Sequence, residues 1–247
     1  MHPSYPPPYA SLIVLSYKRT EMFAESLISL KQSLDMPAEI IVVDDCSDNF
    51  HRDLLVELLR AGAVSSVVLG DRNQGVGEAV RIGFGAASGH WLFKLDADLL
   101  YRKGWLSRAC ALLNHDTDVG MVGFFKYLAD HPTVQFRKTN PKPYADGWLE
   151  VDDFVSSAFG IHRELWQGWH DIWTTHSAAF AEDVDFKNKL KTDGLKLVIT
   201  DEDYVVNKGF GLGRSTVVEA TGDVHRISAR PALFGVTDGN HGVGRQD

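Results

Sequence analysis

The sequence predicts an α/β fold: one mostly parallel sheet with helices on both faces. Three observations lead there. Short, nearly continuous apolar runs alternate with segments of helical periodicity over roughly the first hundred residues, the pattern of strands covered on both faces. Acidic residues stand directly after two of those runs, where an open parallel sheet presents its ligand crevice. The chain has 247 residues, 44% of them hydrophobic and 23% charged, enough to bury such a sheet without disulfide staples.

Ser11 to Ser16 (SLIVLS) is the first buried strand. Thr20 stands where it can cap a helix whose Phe23, Leu27, Leu30 and Leu34 repeat at helical spacing, and Pro37 ends it. Glu39 to Val43 is the second strand, followed by a helix with Leu54, Leu55, Leu58 and Leu59 on one face. Ser65 to Leu69 is the third, leading through a glycine-containing turn to a helix near Gly75 to Ala87. His90 to Leu95 is the fourth and runs straight into Asp96-Ala97-Asp98. Right-handed crossovers are expected between such parallel strands.

Beyond Leu113 the alternation loosens. Val119 to Phe125 and Phe154 to His162 read as strands, with a polar hairpin or loop over Thr133 to Lys142 between them. A Trp-rich turn carries Trp166, Trp169 and Trp173, then a helix near Ala179 to Lys191 precedes a strand, Lys196 to Ile199. The organisation is thus an irregular arm over 1–10, one domain over 11–210, and a loop-rich tail over 211–247.

The net charge of −8 argues against general binding to nucleic acid or anionic membrane. A phosphate-bearing ligand must then be held by local groups or a metal. Cys46 and Cys110 form neither a disulfide framework nor a spaced zinc set, which suits a reducing, cytoplasmic setting. No apolar run reaches the ~20 residues of a spanning helix, and the start lacks a signal-peptide pattern. Peripheral membrane contact stays open.

Two acidic sets fall at strand ends: Asp44-Asp45 and Asp96-Ala97-Asp98. Carboxylates at i and i+2 around a small residue can reach one hard cation, magnesium or manganese, which shares oxygen ligands with phosphates. Glu182-Asp183 opens a helical segment, where an acid serves either as a dipole partner or as a general base.

The blocks SLIVLSYKRTEMFAESLISL, IIVVDDCSDN, NQGVGEAVRIGFGAASGHWLFKLDADLL and EDVDFKNKLKTDGLKLV occur in that order. Together they resemble the family-2 glycosyltransferases of GT-A fold, over roughly Leu12 to Asn207. The third block is similar to the polyprenyl-phosphate sugar synthases, whereas DDFVSSAFGIHRELW resembles the wider family's acceptor-side strand, so no branch is assigned. The resemblance implies a Rossmann-like sheet and transfer of a sugar, with inversion, from a nucleoside-diphosphate donor to a glycan or lipid-linked acceptor. It implies that Ser16 and Tyr17 line the nucleotide pocket and that Asp45 accepts from the base edge, with Asp44 the structural member of the pair. Asn73 and Gly75 would let backbone approach the nucleotide. Arg81 has two readings, a phosphate contact or an exposed helix charge. Asp96 would sit near the ribose or metal-bound water, and Asp98 would ligate the metal. Asp183 is the expected general base, supported by Glu182.

One position departs from the family. Asn207 falls where many members carry a histidine that helps hold metal or diphosphate, and an amide oxygen would replace it. Trp148 and Trp169 lie in the region that faces acceptor, where aromatic faces suit sugar rings and core packing is the competing reading. From position alone, the tail with Arg214, Arg226 and Arg230 could fold over bound donor as a lid. Two other readings compete. A sugar-nucleotide nucleotidyltransferase would need a glycine-rich loop after the first strand, where SYKRTEMF has none. A non-catalytic, glycan- or nucleotide-binding domain is disfavoured by Asp98 and Asp183.

Overall fold

A computed structural model describes residues 10–124, 141–174 and 183–207. β1 (Ala10–Ser16), β2 (Ala38–Asp44), β3 (Ser66–Leu69) and β4 (Trp91–Asp96) alternate with α1 (Thr20–Ser33), α2 (Asn49–Arg60) and α3 (Val76–Ala86). They pair in parallel in the order β3-β2-β1-β4. Each central strand is buried along its length because it packs helices on both sides.

The second half adds β5 (Leu99–Tyr101), α4 (Trp105–His115), β6 (Val119–Gly123), β7 (Lys142–Ala145), β8 (Trp148–Val151) and β9 (Ala158–His162). Then come α5 (Arg163–Trp169), a 3-10 helix (His170–Thr174), α6 (Val184–Thr192), β10 (Lys196–Thr200) and β11 (Val205–Asn207). The nine-stranded sheet has the order β3-β2-β1-β4-β9-β6-β10-β8-β7. Strands β9 and β8 run against the other seven, so the sheet is mostly parallel in direction. A separate ribbon pairs β11 antiparallel with β5, Asn207 opposite Leu99.

Alternation along β1 and β2 divides the core. Leu12, Val14, Ile40 and Val42 face a layer formed by α1, α2 and α4. Ile13, Leu15, Ile41 and Val43 face the layer of α3, α5 and α6. Burying each Leu, Ile or Phe side chain contributes roughly 1.5–3 kcal/mol, which fixes strand register firmly. At Gly160 on β9 any Cβ would collide with the Phe93 ring on β4, so only glycine lets these strands approach.

Several elements differ from the sequence reading. Thr20 does not cap α1: Arg19 holds the cap position in a left-handed conformation with no side-chain cap, and Thr20 bonds His51 Nδ1 instead. The strand expected from Phe154 begins at Ala158, since residues 154–157 turn into the site. The Trp-rich turn is α5 plus the 3-10 helix. The expected tail with its arginines, most of the polar loop over Thr133 to Lys142, and Glu182 lie outside the described residues. No helix among the described residues is long and apolar enough to cross a membrane.

Candidate active site

Strands β2 and β3 lie on one side of β1 and β4 on the other, so the chain reverses its direction of travel between β1 and β4. Loops diverge at such a point and leave a crevice beyond the carboxyl ends of the strands. Ser16, Asp44 and Asp96 are the last residues of the strands that open onto it.

The loops after β1 and β2 are held in uncommon backbone conformations. Lys18, Arg19 and Cys46 have φ of 55°, 51° and 66° without being glycine. Such strain persists where surrounding contacts fix it. Here the Lys18 amide donates to Ser47 Oγ at 2.6 Å, and Ser16 Oγ lies 2.5 Å from His51 Nε2. Ser16 is therefore turned inward, supporting the floor through His51, while Tyr17 is exposed with the Lys18 ammonium over its ring. Burial pushes the His51 ring below its usual pKa, opposed by the charges of Asp44 and Asp48.

Asp44 is fully buried and accepts the Ser47 amide at 3.0 Å. Asp45 reaches the turn before α3, where its two oxygens accept the amides of Gln74 at 2.6 Å and Gly75 at 2.9 Å. Gly75 needs its φ of 83° to make that turn. Asn73 is exposed beside it. Arg81 lies one turn into α3 and pairs with Glu78, which is the exposed-charge reading of that residue.

Asp98 and Asn207 meet across the β5–β11 ribbon. The Asn207 amide lies 3.3 Å from Asp98 Oδ1 and 3.5 Å from Ser157 Oγ, and Arg19 Nη1 lies 3.6 Å from Asp98 Oδ2. Burial, then the neighbouring Asp96 charge, pushes the Asp98 carboxyl up to about 6, with Arg19 and Lys94 pulling the other way. An anion so destabilised invites a cation. Among the described residues no group of three His, Cys, Asp or Glu converges to hold a metal alone. The Asp98 carboxylate, and the Asn207 oxygen once its amide is turned over, suit a hard divalent ion that completes its shell with phosphate and water. Asp96 is less available, since Lys94 Nζ sits 2.5 Å from its Oδ1.

Asp183 precedes α6, is buried, accepts at Oδ2 from Ser156 Oγ, and forms an ion pair there with Lys187 Nζ at 2.5 Å. The Ser156-Ser157 turn ties these groups together. Ser156 Oγ holds Asp183, and the Ser156 carbonyl accepts from Lys94 Nζ at 2.8 Å. The Ser157 carbonyl accepts the Asp96 amide at 2.9 Å, which fixes the end of β4 to the turn, while Ser157 Oγ meets Asn207. Sequence reasoning missed Ser156, Ser157, Lys94 and Lys187. A lysine inside the apolar run of β4 was the one available signal, because a buried ammonium requires anionic partners.

Trp148 and Trp166 are buried in the two cores, which for Trp148 is the packing reading of the two the sequence left open. Trp169 is half-buried against Phe186, with Lys189 Nζ 4.7 Å over its ring.

The profile of the family described as "Glycosyl transferase family 2" matches residues 11–179. An uncharacterized glycosyltransferase of Nostoc is 28% identical over 190 residues, covering 69% of this chain and 59% of that protein. The succinoglycan biosynthesis protein ExoO of Rhizobium meliloti is 33% identical over 101 residues, 41% of this chain and 28% of its own length. Among solved structures, the mannosyltransferase PcManGT of Pyrobaculum calidifontis, in complex with GDP-Man and Mn2+, superposes with a TM-score of 0.64 at 20% identity. That match covers 84% of this chain and 60% of the mannosyltransferase. S. aureus TarS 1-349 with UDP-GlcNAc gives 0.60 at 22% identity, over 80% of this chain and 57% of TarS 1-349. At such identities the structural likeness establishes the fold alone. This chain spans less than two thirds of the length of each of these proteins. The fold is that of the GT-A proteins, and with the family profile matching more than half of its length, the chain belongs to glycosyl transferase family 2.

Proposed function

We propose that this chain transfers a sugar, with inversion, from a nucleoside-diphosphate donor to a hydroxyl of a glycan or lipid-linked acceptor. The carrying observation is the Ser156-Ser157 turn, which contacts Asp183 through one serine and Asn207 through the next. One turn thereby links the proposed base to the proposed cation and phosphate side. PcManGT and TarS were captured with GDP-Man and UDP-GlcNAc, which supports a nucleotide-sugar donor.

In this reading Tyr17 stacks beside the base and Asp45, while holding Gln74 and Gly75, uses remaining lone pairs for the base edge. Ser16 supports that floor from below, and Asn73 and Gly75 keep the backbone approach open. Arg81 reaches phosphate only by leaving Glu78. Asp98, with Asn207 and the nearby Asp96, holds manganese or magnesium. A divalent ion there supplies Lewis-acid charge against the departing diphosphate. Asp183, aided by Glu182, takes the acceptor proton as the acceptor oxygen bonds to the anomeric carbon and the bond to the diphosphate oxygen breaks. A single displacement of this kind inverts the anomeric centre and needs no second carboxyl to activate water.

A panel of UDP-, GDP-, dTDP- and CMP-sugars, assayed with and without manganese, tests the proposal. The expected result is binding and slow turnover of one diphosphate donor, stimulated by the metal. Failure of every donor to bind or turn over would refute it.

A further inference from the structure

The Lys187 ammonium makes three polar contacts: Asp153 Oδ1 at 2.9 Å, the Phe154 carbonyl at 2.6 Å and Asp183 Oδ2 at 2.5 Å. The first two are hydrogen bonds and the third is an ion pair at contact distance. The residue is only 3% exposed, and its charge also sits 4.4 Å from the centre of the Phe154 ring. A lysine this buried and this fully engaged is held in place. Its position one helical turn after Asp183 brings the two side chains to the same face of α6.

The consequence falls on the two oxygens of Asp183. Oδ2 accepts from Ser156 Oγ and forms an ion pair with the Lys187 ammonium, so both groups hold this one oxygen. Among the described residues no donor meets Oδ1. We infer that Lys187, with Ser156, is a positioning residue that immobilises the Asp183 carboxylate and leaves Oδ1 as the oxygen that receives the acceptor proton. This rests on the reading of Asp183 as general base. Asp153 completes the arrangement: it gives the ammonium a second carboxylate, so Lys187 is not free to swing toward substrate.

Lys187→Met keeps the aliphatic stem and removes the charge. With a donor that the wild-type chain turns over, this variant should lose about 10²-fold in kcat, the scale of a ~1 Å misplacement of a reacting group. KM for the donor should stay within about twofold, because Lys187 touches no donor-side residue. Lys187→Arg should recover part of the lost kcat. Ser156→Ala, which removes the hydroxyl donor to Oδ2 without stranding a buried charge, should lower kcat in the same way. It provides the test if Lys187→Met does not fold.

Asp183→Asn is run alongside. If it abolishes turnover while Lys187→Met and Ser156→Ala keep wild-type kcat, the positioning inference is wrong and the base assignment stands. If Asp183→Asn turns over normally, the base assignment falls and takes this inference with it.

Discussion

Asn207 brings its side-chain amide to 3.3 Å from the Asp98 carboxylate, a residue 109 positions earlier in the chain. The approach is made by the short β5–β11 ribbon, which pairs Asn207 with Leu99. Where the resemblance leads to the expectation of a histidine, Asn207 is a neutral group that donates to Asp98 through Nδ2. Replacing Asp98 with alanine should abolish metal-dependent donor binding, measured by calorimetry with manganese present. Asn207→Ala should weaken that binding by ~10-fold, the lower end of what a supporting residue at a metal site costs. Unchanged binding in Asp98→Ala would contradict the metal assignment.

Asp45 accepts two backbone amides from the turn that starts α3. Asp45→Ala strands both, and a lost bond to a charged acceptor costs about 1.5–3 kcal/mol. A fall of that size in urea unfolding free energy is expected, together with weaker donor binding. A variant as stable as the wild type would show that the turn is held by other contacts.

His51 makes stability depend on pH. Its side chain is fully buried and its pKa is lowered from 6.5, so the folded state holds the ring neutral where the unfolded chain takes up a proton. The unfolded state then binds more protons, and stability rises with pH through this window. Its contribution is present above 6.5 and is lost as the pH falls below that value. On acidification from about pH 7.5 to about pH 5.5 the wild-type urea midpoint should fall relative to that of His51→Gln, which has no ring to protonate, while Asp98, raised to about 6, acts in both proteins alike. An equal drop in both proteins would show that His51 does not set this dependence.

Gly160→Ala should destabilise the sheet by about 1–3 kcal/mol, the usual cost of overpacking a filled core. The added methyl meets the Phe93 ring between β9 and β4. Chemical denaturation measures it directly, and a neutral result would mean that Phe93 moves aside freely.

The first half of the fold was legible because its strands are buried on both faces and announce themselves as apolar runs ending in acids. Asp44, Asp45, Asp96 and Asp98 were readable for the same reason: they follow those runs. The β5–β11 ribbon was not, since three-residue strands are too short to show a period. Thr20 misled because a capping residue type says nothing about the backbone before it, and Arg19 takes the left-handed conformation there. Ser156, Ser157, Lys94 and Lys187 gain their roles through contacts between β4, β9 and α6, which no local spacing encodes. Trp148 illustrates the converse. Its residue type suggests a sugar platform, and its place between β7 and β10 makes it core.

In the proposed reaction Asp183 takes a proton during transfer from a donor held on the Asp45 and Asp98 side. Donor binding and nucleoside diphosphate release, measured in parallel for the wild type and Asp183→Asn with manganese, test it most directly. Donor affinities should match, and release in Asp183→Asn should be slower by ~10²–10⁴-fold, the contribution of a positioned general base. Equal release rates in the two proteins would contradict it.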